Sequence, residues 1–261
     1  MLVFLLVSGF LVGILSGLLG IGGGIIFAPL LLYVPGWLGL SVLSMKTVTG
    51  LTMVQALAGS TSGYLAHRRY RTVSQPLIFL TGPVIILATF SGAQLSGLFG
   101  DTILKVIFAL MALGAALLMQ MKGKPENHRV EPAEEPAKEL EFNRGLAVLV
   151  VGMIGFTGGL VGQGGAFLLV PALISILYFP AKVAMGSSLG IVVLASLAGV
   201  GGKFSAGLVD PLNALALILG AAPGAQLGSY LSQRLNSEIL KQLLSGLLVL
   251  VSMQILWNIW K

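Results

Sequence analysis

The sequence predicts an all-α polytopic membrane protein made of two homologous four-segment repeats, the first segment of each broken by glycines. Three observations predict it. Only 9% of the 261 residues are charged while 56% are hydrophobic, whereas a soluble domain carries about a quarter charged residues. The uncharged apolar stretches reach about 20 residues or more, the length a helix needs to cross a bilayer. The cluster Gly17-Leu-Leu-Gly20-Ile-Gly22-Gly23-Gly24 returns, altered, as Gly159-Leu-Val-Gly162-Gln163-Gly164-Gly165-Ala166, and Pro29 and Pro171 close the two copies.

The first apolar run, Met1 to Val34, is too long for one upright helix at 1.5 Å per residue. The triple glycine and Pro29 argue for two half-helices instead. The run has no basic start and continues past the length of a signal peptide, so it is expected to stay as a membrane segment. Val42 to Ala66 makes the next span, with Lys46, Thr47, Thr49, Thr52 and Gln55 toward its start, and His67-Arg68-Arg69-Tyr70-Arg71 follows as a basic loop. Pro76 to Phe99 and Thr102 to Met121 complete the first half.

Residues 122–143 are the hydrophilic part of the chain, holding six of its nine acidic residues and three prolines. That composition suits a solvated linker. The expected division is therefore 1–121 as the N-terminal transmembrane repeat, 122–143 as a charged cytoplasmic linker and 144–261 as the C-terminal repeat. The halves correspond at several places: Leu32-Tyr33-Val34-Pro35 with Leu177-Tyr178-Phe179-Pro180, Gly50 with Gly190, Leu57-Ala58-Gly59 with Leu197-Ala198-Gly199, and Gly92-Ala93-Gln94-Leu95 with Gly224-Ala225-Gln226-Leu227.

If the broken segments cross fully, the repeats run parallel; if they turn back as re-entrant hairpins, the repeats are inverted. Counting Lys and Arg on the two sides separates these arrangements by a single residue, and the over-long first segment favours inversion. Both arrangements put the linker in the cytoplasm and the chain in the cell membrane, in a multi-pass arrangement.

Several functions are excluded or disfavoured by what is missing. There is no cysteine, so disulfides and thiolate metal sites are out. His67 and His128 fall in charged loops, and outside the linker the acids are Asp101, Asp210 and Glu238, all near segment ends. A cation carrier or an intramembrane enzyme would be expected to bury such groups. The +6 net charge is the topology signal of a membrane protein rather than a nucleic-acid footprint. No cofactor is expected.

Glycines at membrane depth let backbone approach a ligand, and the start of a half-helix offers unpaired N–H donors with a partial positive charge. Gly22, Gly23, Gly24, Gly164 and Gly165 are thus candidates to line an anion site, against the alternative of close helix packing through small residues. Gln163 stands where the first motif has Ile21, and its amide could donate to an oxyanion or to another helix. Gln94 and Gln226 occupy matched positions, which could aim both at one cavity. Thr47, Thr49, Ser187 and Ser188 open corresponding segments, where hydroxyls either cap a helix or face an anion. Lys46 beside them could attract an anion or snorkel to the headgroups.

The motif GxxSGLLGIGGG from Gly13 to Gly24, its echo from Gly155 to Gly165, and Ala184-Met185-Gly186-Ser187-Ser188-Leu189 resemble the TauE/SafE family of sulfite and organosulfonate exporters. The resemblance covers both halves outside the linker. It implies a membrane transporter of small anions, with sulfite or an organosulfonate as substrate class and the lipid bilayer as its setting. Small-residue faces make a homodimer a further expectation.

Overall fold

The computed structural model describes residues 1–41, 43, 45–120, 142–162, 165–205 and 210–260. These form ten α-helices and no strand. Residues 122–141 of the expected linker lie outside the described residues, as do Gln163 and Gly164.

Helices α1 (Leu2–Leu19) and α2 (Gly24–Trp37) flank the first glycine cluster, followed by α3 (Met45–Arg69), α4 (Gln75–Leu95) and α5 (Asp101–Gln120). The second half runs α6 (Arg144–Val161), α7 (Ala166–Ser175), α8 (Ala181–Ser205), α9 (Pro211–Arg234) and α10 (Ser237–Trp260). The break at the first cluster is where the glycines place it, but the pieces are unequal. With 18 residues α1 is about 27 Å long and crosses by itself, while α2 and α7, with 14 and 10 residues, are the short arms. Among the described residues five helices, α1, α4, α6, α8 and α9, are long and apolar enough to cross a membrane.

The third helix has 25 residues and is the most polar of the central ones, because its hydroxyls and Gln55 face protein rather than lipid. The outward surface is apolar: Val3 and Phe79 are each 77% exposed, with Leu87, Leu149 and Leu219 alongside. In water such a surface would be costly; against lipid tails it is the expected one. Outside the linker the acids, Asp101, Asp210 and Glu238, sit at helix ends. Asp210 caps α9 by accepting from the Asn213 amide at 3.1 Å, where the helix dipole favours negative charge.

Two seams of small residues hold the bundle. Gly9, Gly13 and Gly17 of α1 face Leu217, Ala221 and Ala225 of α9, while Gly220, Gly224 and Gly228 of α9 face Leu6, Phe10 and Ile14 of α1. The spacing of four keeps each set on one helix face, and the missing side chains let the backbones touch. A second seam joins α4 and α6, with Gly92 against Phe156 and Leu160, and Gly155 and Gly159 against Ile85 and Thr89.

Both seams are formed by helices running in the same direction. By contrast α3 and α8 run oppositely, since Gly199 meets Met53 while Gly190 meets Tyr64. Along α1 and α3 the contacts rise together, Ser16 with Gly59 and Gly17 with Gly63. Because α1 and α3 point the same way, α2 between them must bring the chain back, so α1 and α2 form a re-entrant hairpin. The pairs Ile78–Gly190 and Leu194–Gly82 set α8 parallel to α4, hence parallel to α6, so α7 also doubles back. Helices at corresponding places of the two halves therefore run in opposite directions.

Candidate functional site

The two breaks are flanked alike. Gly20 ends α1 and Gly23 opens α2, at φ +72 and +75; Gly162 ends α6 and Gly165 opens α7, at φ +78 and +69. Left-handed backbone at these positions costs an L side chain about 1–2 kcal/mol, which is why glycine recurs there. Neither α2 nor α7 has a side-chain cap at its start, so their first amides point into protein without an intrahelical acceptor. The two starts meet: a Cβ on Gly22 would come within 2.9 Å of the Ala166 Cβ and 3.1 Å of Val192 Cγ1. Gly22, Gly23, Gly24 and Gly165 are all buried.

Each tip is held by the other half. Ser188 of α8 donates its hydroxyl to the Gly20 carbonyl at 2.7 Å, and a Cβ on Gly20 would strike Met185 at 2.6 Å. Thr49 of α3 packs against Gly162, and Thr52 Oγ1 lies 2.9 Å from the Thr49 carbonyl and 3.5 Å from that of Gly162. Ser187 accepts the Ser74 amide at 2.9 Å, fixing the start of α4. Ser187 and Ser188 are fully buried with backbone partners, while Thr47 and Thr49 are half-buried in the first turns of α3. Lys46 lies in the same first turn, its side chain outside what is described.

Two expectations need correction. Gln94 and Gln226 do not share a cavity: both are exposed. Each sits two residues past a seam glycine, Gly92 or Gly224, and two residues turn a helix by about 200°, onto the opposite face. His67 is not in a solvated loop either. Helix α3 continues through it to Arg69, and its ring is fully buried. Nε2 lies 3.1 Å from the Gly17 carbonyl, and since a carbonyl only accepts, Nε2 carries the hydrogen. Nδ1 lies 2.9 Å from Thr72 Oγ1 and 3.5 Å from Gln233 Nε2. Lys182 donates to the Gln233 carbonyl at 3.1 Å. Arg68, Arg69 and Arg71 remain exposed.

The residues missed from the sequence are Gln55 and Ser16. Both are fully buried. Of five buried side-chain atoms without a hydrogen-bond partner among the described residues, three are theirs: Ser16 Oγ and Gln55 Nε2 and Oε1. A Cβ on Gly23 would lie 2.5 Å from Gln55 Nε2 and 2.9 Å from Oε1, and one on Gly59 would lie 3.2 Å from Ser16 Oγ and 3.4 Å from Gln55 Nε2. Thus an unpaired amide abuts the start of α2, with an unpaired hydroxyl beside that amide. Leaving such groups unsatisfied costs about 1–3 kcal/mol each. A signal existed: Gln55, Gly59, Gly63 and His67 are spaced by four, one stripe of small and polar residues on α3.

Among the described residues the second break has no such pair. Its counterpart of Gln55 is Ala195, fully buried, and that of Ser16 is Gly158.

Comparison with known proteins supplies the family. Residues 5–255 match the family described as "Sulfite exporter TauE/SafE". The chain is 29% identical over 270 residues to "Probable membrane transporter protein YunE" of Bacillus subtilis, covering 98% of this chain and 97% of that one. It is 30% identical over 255 residues to a "Probable membrane transporter protein" of Xylella fastidiosa, with 97% and 94% covered. Similarity to "Sulfite exporter TauE/SafE family protein 3" of Arabidopsis thaliana is 28% over 132 residues, 48% of this chain and 26% of that one. No solved structure matches. With re-entrant glycine breaks inside a lipid-facing bundle and a family match over nearly its whole length, the chain belongs to the TauE/SafE family and is a multi-pass membrane transporter of that type.

Proposed function

We propose that the chain exports a small sulfur-containing oxyanion, sulfite or an organosulfonate, by alternating access to a site between the two helix breaks. The observation that carries this is the meeting of the two uncapped half-helix starts in the buried centre, Gly22 against Ala166. Both present amide donors and positive dipole ends to one region, and together they can replace the hydration shell of an anion. The family description supports sulfite as the substrate to try first.

The two halves are inverted repeats in this account. Opposite helix directions at corresponding places support it, as do glycine breaks of the same four-residue construction, Gly20 to Gly23 and Gly162 to Gly165. Inverted repeats suit alternating access because exchanging their two conformations turns an inward-open protein into an outward-open one.

Purified protein in liposomes should take up sulfite with saturation, and preloading with unlabelled sulfite should accelerate entry of label. Linear, unsaturable flux without counterflow would identify a pore. Absence of flux for sulfite and for sulfoacetate alike would remove this reading.

A further inference from the structure

We propose that Gln55 and Ser16, together with the first amides of α2, bind the transported oxyanion in its singly charged, proton-bearing form. This rests on the transport reading above and narrows it to sulfite, since a sulfonate group carries no proton near neutrality.

The Gln55 carboxamide has no partner at either polar atom, is fully buried, and abuts Gly23, the residue that opens a 14-residue helix. The Ser16 hydroxyl beside it is likewise unpartnered. Such groups persist in a core only where something else satisfies them.

The donor and acceptor inventory then selects the ligand. Gln55 Nε2 and the Gly24 and Ile25 amides donate only, so they suit charged oxygens. Gln55 Oε1 accepts only, and the single hydrogen of Ser16 goes to the oxyanion in this site, so Oε1 takes its hydrogen from the ligand. A fully deprotonated oxyanion brings none; one with a single O–H supplies it. Charge points the same way. The described Arg side chains are all exposed, Lys182 donates to the Gln233 carbonyl, and Lys241 faces Glu238 at 3.7 Å. With no described cation at Gln55, removing a dianion from water costs far more than removing a monoanion, because solvation energy grows with the square of the charge.

Ala195 and Gly158 stand at the matching places of the second break, so the Gln55 and Ser16 contacts have no counterpart at those two places.

The test uses the full-length protein in liposomes with sulfite as probe, which passes between its singly and doubly charged forms near neutrality. Wild-type uptake at fixed total sulfite should rise on the acid side of neutrality, and sulfate, a dianion throughout, should fail to compete. Gln55→Met, close in shape, should weaken apparent affinity about ten- to a hundredfold, as expected when a charged ligand loses a hydrogen bond. Its melting temperature should be unchanged or higher, because an unpartnered amide has gone. Ser16→Ala should weaken affinity less.

Wild-type affinity in Gln55→Met, or competition by sulfate equal to that by sulfite, would overturn the site while leaving transport intact. A wild-type protein that moves no anion would remove the transport reading, and the site with it.

Discussion

Replacing Gly17 by alanine tests the α1–α9 seam most directly. The added Cβ would run into the Ala225 carbonyl oxygen, 2.8 Å from the carbonyl carbon and 2.9 Å from the Ser229 amide nitrogen. None of these is a side-chain end that can swing away; all are backbone of a helix seated against α1 along several turns. The helices must part, and a radial gap of 0.5–1 Å forfeits about a quarter to a half of each dispersion contact along the seam. Overpacking of this kind costs about 1–3 kcal/mol, and the better helix propensity of alanine returns about 0.8–1 kcal/mol. Because the clash is with rigid backbone, the upper end applies, for a net loss of about 2 kcal/mol, or about 4–8 °C in melting temperature. The control is Gly114→Ala on α5, where a Cβ would meet nothing within 4 Å; there the propensity gain stands alone and stability should rise by about 1 kcal/mol. Thermal unfolding of both variants in the same detergent decides the matter. Equal shifts of the same sign would refute the claim that backbone contact, rather than glycine content, sets the response.

Three further substitutions probe the surroundings of the first break. Ser188→Ala removes the donor to the Gly20 carbonyl at the hairpin tip and should cost about 1–3 kcal/mol in thermal unfolding; an unchanged melt would show the tip is held otherwise. His67→Phe keeps the ring volume but deprives the Gly17 carbonyl of its closer donor; Ser229 Oγ at 3.4 Å recovers part of that, so a loss of about 1 kcal/mol is expected, against less than about 0.5 kcal/mol for Arg68→Gln on the exposed surface. Asp210→Ala deletes the cap of α9 and should cost about 1 kcal/mol, recovered in Asp210→Ser.

Much of this molecule was legible in its sequence, for physical reasons that can be named. Positions that need positive φ select glycine, so Gly20, Gly22, Gly23, Gly162 and Gly165 advertise the breaks. Lipid selects long uncharged runs, so the helices announce themselves. What stayed hidden depended on which way a helix face turns. Gln94 and Gln226 occupy matched places in the two halves, yet the seam glycines turn them outward. Gln55 stands among Thr47, Thr49 and Thr52 as one more polar residue of α3, and packing alone singles it out against Gly23. His67 adjoins arginines, so composition assigns it to water; the helix carries it one turn further, into the bundle.

The seams also constrain what can move. Each joins a helix of one sequence half to a helix of the other, α1 to α9 and α4 to α6, with backbone against backbone. The halves therefore cannot part as rigid bodies without opening both seams, which the cost of disturbing a close-packed interface opposes. The hairpin arms α2 and α7 are the shortest helices of the ten, and neither contributes a glycine to either seam. Movement at the breaks can thus tilt α2 and α7 while α1–α9 and α4–α6 hold as pairs. Ser188 on Gly20 and Thr49 on Gly162 place each hinge under the hand of the opposite half, so a shift of α3 against α8 would act on both breaks together.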